Sequence, residues 1–300
     1  MDTLAGRDES RGLALALAAY GTWGVFPLYF HLLDASGAVE IVAHRLVWTL
    51  LFCAVGLSVR RSWAGVRATA ANARLTGTLF GAGVLVSLNW LIYVYAVISD
   101  HVVDAALGYF MNPLVTVVLA LVVLRERLRV AQVAALALGL AAVVVIALGA
   151  GQVPWIGLGL ALSFGLYSLA KNRVARRVAP LVGLGFETAA LAPASLVFLI
   201  VLGLTGHGTF TALGPGYALL LAGSGVATAI PLLFFAAGAA RLSLVTLALV
   251  QYITPTVQFA IGVLVFHERM PPARWAGFVL VWVALVVLTG DLVRRARRGR

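Results

Sequence analysis

Apolar residues along this 300-residue chain run in ten long blocks, separated by short breaks rich in Arg, Gly, Pro and small polar residues. A block of about 20 apolar residues matches one helical crossing of a bilayer. Hydropathy and turn signals therefore predict spans near residues 12–33, 40–59, 75–98, 103–124, 130–149, 154–171, 181–203, 216–238, 243–265 and 273–291. The expected fold class is all-α, a polytopic membrane protein with ten transmembrane helices.

The breaks differ in charge. With the N-terminus inside, nineteen of the 22 basic residues fall on one side: Arg7 and Arg11, Arg60 to Arg74, Arg125 to Arg129, Lys171 to Arg177, Arg241, and Arg294 to Arg300. Only Arg269 and Arg274 fall on the other, and Arg45 lies within a span. That asymmetry follows the positive-inside rule and puts both termini in the cytoplasm. It also accounts for the net charge of +11 without a nucleic-acid partner, because the basic residues are spread over every second loop and form no single stripe.

Composition agrees: 62% of residues are apolar, 11% are charged and the mean hydropathy is +1.02. Ten spans leave no room for a sizeable soluble domain. The stretch from Arg11 to Trp23 resembles a signal peptide, but its apolar run continues past Phe26 to Leu33, and the charge pattern needs it as a span. The single cysteine, Cys53, sits in an apolar run and provides neither a disulfide nor a Cys-based zinc site within one chain.

Two segments repeat. Tyr109–Arg127 reads YFMNPLVTVVLALVVLRER, and Gln251–Arg269 reads QYITPTVQFAIGVLVFHER, 142 residues later. Pro113/Pro255, Glu126/Glu268 and Arg127/Arg269 carry the signal, since Val and Leu matches are cheap in such a composition. Residues 1–11 then form a cytoplasmic tail, 12–150 a first repeat of five spans, 151–291 a second, and 292–300 a basic cytoplasmic tail. Five is odd, so the second repeat lies upside down relative to the first, the inverted-topology arrangement of many secondary transporters. Pro113 and Pro255 are expected to kink their helices, freeing the carbonyls of Tyr109 and Gln251 toward a neighbour or a wet cavity.

Polar residues inside spans are the candidate site. Ionisable groups there are costly and usually face a partner, the bundle interior or water. Glu187, deep in the seventh span, is the leading proton-coupling carboxylate, with a structural pair to Lys171 or Arg173 as its alternative. Arg45 either anchors at the interface or pairs with Asp104, and His44 is a core histidine or a further ionisable site residue. Helical spacing aligns Asn89, Tyr93, Ala96 and Asp100 on the third span, Asp104, Gly108, Met111 and Asn112 on the fourth, and Gln251, Pro255 and Gln258 on the ninth. These faces are expected to line a solute cavity with Trp90, Tyr109 and Tyr252 near its rim; interhelical hydrogen bonding is the competing reading. Gly157, Ala161 and Gly165 mark a close helix approach. Glu126 and Glu268 suit helix-start stabilisation.

EIVAHRLVW from Glu40, LNWLIYVYAV from Leu88, DAALGYFMNPLV from Asp104, SFGLYSLAKN from Ser163, FETAAL from Phe186 and LALVQYITPTVQF from Leu247 together resemble the RarD branch of the EamA family, in the drug/metabolite transporter superfamily. The resemblance runs from about residue 12 to residue 291 and implies a ten-helix inner-membrane permease of two EamA repeats. The branch more usually carries Glu where this chain has Asp104, so the charge is kept and its reach shortened by one methylene.

No Walker A motif surrounds Lys171, the only lysine, and no HExxH, CxxC or GxSxG occurs. Neither an enzyme nor a cofactor or metal site is expected. The leading expectation is a secondary carrier, exporting a small organic metabolite or drug-like solute by alternating access with proton coupling left open. Its partners are the solute and the lipid bilayer, with a homodimer also left open. The alternatives are an intramembrane enzyme on a lipid-linked substrate and a non-transporting membrane protein.

Overall fold

The computed structural model describes residues 2–124, 130–174, 177–239, 241–242, 246 and 250–298. Glu126 and Arg127 lie outside them. Every regular element among the described residues is helical: α1 (Asp2–Gly24), α2 (Phe26–His31), α3 (Ala38–Val59), α4 (Trp63–Ala70), α5 (Ala73–Ile98), α6 (Val102–Leu124), α7 (Val130–Ala150), α8 (Trp155–Val174), α9 (Pro180–Ala189), α10 (Ala192–Leu204), α11 (Thr209–Ala212), α12 (Gly214–Ala239), α13 (Ile253–Leu264) and α14 (Pro272–Arg298). Among the described residues seven stretches are long and apolar enough to cross a bilayer, or eight if α9 and α10, bent by 49°, form one broken span. The sixth and ninth expected spans are represented by shorter apolar helices, Trp155–Lys171 and Ile253–Leu264.

Proline explains the breaks. Pro27 has no N–H to give Trp23, and the first span divides at Val25 into α1 and α2. The Trp23 carbonyl is taken instead by Gln258 Nε2 at 3.1 Å, and that of Tyr20 by Thr254 Oγ1 at 2.7 Å. Pro193 opens α10, where a missing N–H costs little, and fixes the bend in the seventh span. Pro113 lies inside a continuous α6. Pro255 sits in the first turn of α13, after a turn at Gln251 and Tyr252, so it opens a helix where the spacing had suggested a kink within one. Asp100 also departs from expectation: α5 ends at Ile98, and Asp100 turns the chain at φ 56° instead of extending the Asn89 face.

The chain folds into two compact units, one of residues 1–27, 99–165 and 238–300, the other of residues 28–98 and 166–237. The boundaries 27/28 and 98/99 recur at 165/166 and 237/238, close to the 142-residue offset of the repeated segments. Each unit therefore draws corresponding stretches from both halves of the chain.

Within the first unit α6 runs antiparallel to α13, with Val103 against Gly262, and α7 runs antiparallel to α14, with Gly149 against Ala273 and Ile146 against Gly277. Phe110, Phe259, Phe278 and Trp282 pack together in this unit, edge to face except for Phe259 and Phe278, which are tilted by 48°. Within the second unit α3 runs antiparallel to α9 and α10: Gly56 faces Leu181, Cys53 faces Gly185, and Glu40 at the opposite end reaches Thr209. All three pairs join elements roughly one repeat offset apart.

Small residues set these distances. A Cβ on Gly108 would stand 2.7 Å from the Gly157 carbonyl oxygen, and one on Gly165 2.8 Å from Val115, so the small row of α8 meets α6 along its length. Gly83 of α5 lies against the Glu187 backbone, and Gly225 of α12, 142 residues later, against the backbone of Trp48 and Thr49. We predict that Gly83→Ala, which drives a methyl into the Glu187 carbonyl, lowers the apparent Tm by several degrees. Gly77→Ala, with nothing within 4 Å, is neutral or stabilising by up to about 1 kcal/mol; thermal denaturation in detergent compares the two.

Candidate functional site

Two groups of polar side chains occupy the second unit. Glu187 is 1% exposed. Its carboxylate forms an ion pair with Lys171 Nζ and accepts a hydrogen bond from Tyr167 Oη at 3.2 Å. Tyr167 and Lys171 stand one turn apart on α8, so a single helix face presents both to α9. The sequence offers Lys171 or Arg173 as the partner and the structure selects Lys171; Tyr167, one turn earlier on the same face, adds a neutral donor that a charge pattern does not nominate.

The second group surrounds Arg45, which is 4% exposed. Arg45 Nε donates to Thr228 Oγ1 at 2.6 Å, and the guanidinium lies 4.1 Å from the Trp90 ring centroid and 5.2 Å from that of Phe30. Both expectations for Arg45 are corrected: it is buried too deeply to be an interfacial anchor, and Asp104 belongs to Arg274. Trp90, expected at a cavity rim, is 8% exposed and covers the cation. Tyr93 packs edge to face on Phe30, and Asn89 is likewise buried. His44 stacks on Phe210 at 4.8 Å, its Nδ1 accepts from Trp48 at 3.3 Å, and its buried Nε2 has no partner among the described residues.

In the first unit Asp104 Oδ1 pairs with Arg274 at 3.3 Å. Arg274 is one of the two basic residues outside the inside-positive set, a signal that could have nominated it. The Gly108 and Met111 face of α6 is a packing seam: Gly108 abuts Gly157, and Met111 belongs to the apolar core. Gln258 is committed to the Trp23 carbonyl. Tyr109, Asn112, Gln251 and Tyr252 are partly exposed, and Asn112 Oδ1 is a buried acceptor with no partner among the described residues.

Glu268 caps α6. Its carboxylate accepts from the backbone N–H of Val102 at 2.5 Å and of Val103 at 3.1 Å, two of the donors that a helix start leaves open.

Residues 10–148 match the model of the EamA-like transporter family. Protein RarD of Streptomyces exfoliatus is 48% identical over 98% of this chain and 92% of its own length. The chain belongs to the EamA family, in its RarD branch. An uncharacterized transporter of Vibrio cholerae is 37% identical over 98% of both chains. A solved crystal structure aligns with 93% of this chain and 97% of its own at a TM-score of 0.60 and 20% identity, which speaks for a shared fold. This RarD-type chain is therefore a multi-pass membrane transporter, not an enzyme, and its bacterial relatives and apolar helices place it in the inner membrane.

Burial pushes the Glu268 carboxyl up to about 7, against the lowering effect of its hydrogen bonds from Val103 and Val102. Because the folded value lies above the ordinary 4.5, the contribution of Glu268 to stability is full below that value and is lost as pH rises through about 7. The parent Tm should therefore fall between pH 5 and pH 8 relative to Glu268→Gln, whose amide oxygen still accepts from α6 without charge. Parallel Tm profiles for the two proteins would exclude this assignment.

Proposed function

We propose that this RarD-type transporter is a secondary carrier of ten spans, built from inverted repeats at residues 12–150 and 151–291, with both termini cytoplasmic. It exports a small organic metabolite or drug-like solute by alternating access. The observation that carries this reading is the antiparallel pairing, inside each unit, of elements about one repeat offset apart. Two-fold related inverted halves produce such pairs, and the recurrence of unit boundaries supports the same relation.

Glu187 is the proton site. Charged, it holds Lys171 and Tyr167 of α8 against α9. Protonation discharges the pair and leaves the Lys171 ammonium without its counter-charge, which favours an arrangement in which Lys171 reaches water. The packing of Gly83 on the Glu187 backbone gives that local change a rigid contact with α5. Solute contact falls to Tyr109 and Asn112 of α6 and to Gln251 and Tyr252 before α13.

The test begins with thermal-shift screening of the purified protein against small organic solutes, since a ligand of the folded state raises its Tm. Flux of a hit into proteoliposomes is then measured with and without an imposed pH gradient. Glu187→Gln should reduce gradient-driven accumulation at least tenfold while keeping equilibrative exchange. Equal accumulation by parent and variant would remove proton coupling through Glu187, and absence of flux for every hit would remove the carrier assignment.

A further inference from the structure

One end of the second unit holds a cavity of about 260 Å³ that the transport reading does not use. It is walled by Gly65, Ala68 and Thr69 of the short helix α4, by Asn72 and Leu75 at the start of α5, by Arg177, Val178 and Ala179 before α9, and by Val182 in its first turn. Its position follows from the chain: α4 links two spanning helices, and the α8–α9 turn meets it at the same end.

The chemistry is one-sided. Arg60, Arg61, Arg67, Arg74, Arg173 and Arg177 lie on these segments and are all exposed. No Asp or Glu occurs between Glu40 and Asp100 or between Glu126 and Glu187, so this surface carries no exposed counter-charge of its own. The Arg177 guanidinium has no hydrogen-bond or ion-pair partner among the described residues. Asn72 commits only its side-chain oxygen, to the Leu75 N–H at 3.1 Å, leaving its amide donors for a ligand.

The walls are amphipathic. Leu75, Val178 and Val182 supply apolar surface beneath the donors. Trp63, 41% exposed and tied to Ser58 Oγ at 3.1 Å, supplies an indole of the kind that sits at headgroup level. A volume below that of ordinary drug-sized pockets, roughly 300 to 1,000 Å³, suits a phosphate with its glycerol better than an organic solute. Basic pockets between spanning helices on the cytoplasmic side bind anionic headgroups.

We propose that this cavity is a headgroup site for an anionic phospholipid. Arg177 and the Asn72 amide hold the phosphate, the surrounding arginines attract it, and the Leu75–Val182 surface takes the glycerol and first acyl carbons. The orientation proposed above serves only to assign the leaflet, and transport activity does not enter the test.

The full-length protein, purified in detergent, is titrated with phosphatidylglycerol or phosphatidylcholine while Tm and the lipid retained in native mass spectrometry are followed. Phosphatidylglycerol should raise Tm saturably and phosphatidylcholine should not. Arg177→Gln should shift half-saturation at least fivefold. Ala68→Phe, which fills the cavity without altering charge, should do the same, and Arg60→Gln, on the same surface, less than twofold. Should Ala68→Phe lower the Tm in phosphatidylcholine alone, retained phosphatidylglycerol per protein decides, with loss supporting the site and full retention overturning it. Equal effects of all three substitutions would mean diffuse surface attraction and overturn the site. Full stabilisation by inorganic phosphate or glycerol phosphate, with no added effect of lipid, would mean a soluble anion and overturn the lipid assignment.

Discussion

A helix inside a bilayer has no water to accept what its backbone leaves unpaired, and this constraint organises the structure. Three helix breaks or starts among the described residues are answered by side chains from elsewhere in the chain. Pro27 frees the Trp23 carbonyl, and Gln258 from α13 takes it. The start of α6 exposes amide donors, and Glu268 accepts from two of them. The start of α11 is met by Glu40, which binds both the Thr209 amide at 2.8 Å and its hydroxyl at 3.0 Å. In each case the answering side chain comes from a distant part of the sequence. Satisfying the backbone at these points thus also ties together parts of the chain more than 160 residues apart.

Once those ends are satisfied, small residues decide how close the helices come. Hydrophobic burial gives little between helices already surrounded by lipid, so packing and a few polar contacts carry the association. Gly83 on Glu187 and Gly225 on Trp48 form a reciprocal pair of such contacts, one from each half. Glu187 is thereby placed where its side chain meets Lys171 and its backbone meets α5. A change in its charge would act on two helices at once.

The helical, membrane-spanning character is legible in the sequence, because hydropathy reports directly on the bilayer. Seven of the segments expected to span recur among the described residues as helices long and apolar enough to cross, or eight if α9 and α10 form one span, and RarD-type membership is readable from motifs in order. Side-chain partnerships were less so. The sequence narrows the partner of Glu187 to Lys171 or Arg173, the cations in the last turn of the preceding helix, and the structure selects Lys171. Arg45 is not narrowed in this way, since its partners Thr228, Trp90 and Phe30 are neutral and leave no charge pattern to read. Gln258 and Trp90 fit a cavity by helical spacing, yet spacing assigns only a face. Whether that face meets a solute, a freed carbonyl or a cation depends on contacts more than 180 residues away for Arg45 and Thr228, and 235 for Gln258 and Trp23. Pro255 misled for a related reason: its effect depends on whether the helix has already begun.

The inverted relation of the halves is the central claim, and sidedness tests it most directly. In a Cys53→Ala background, single cysteines at Ala71, after the second expected span, and at His207, after the seventh, are labelled in intact cells and in inverted membrane vesicles with an impermeant maleimide. Five spans lie between them, so Ala71→Cys should react only in inverted vesicles and His207→Cys only in intact cells. Reaction of both from the same side would contradict the inverted repeat and the alternating-access account built on it.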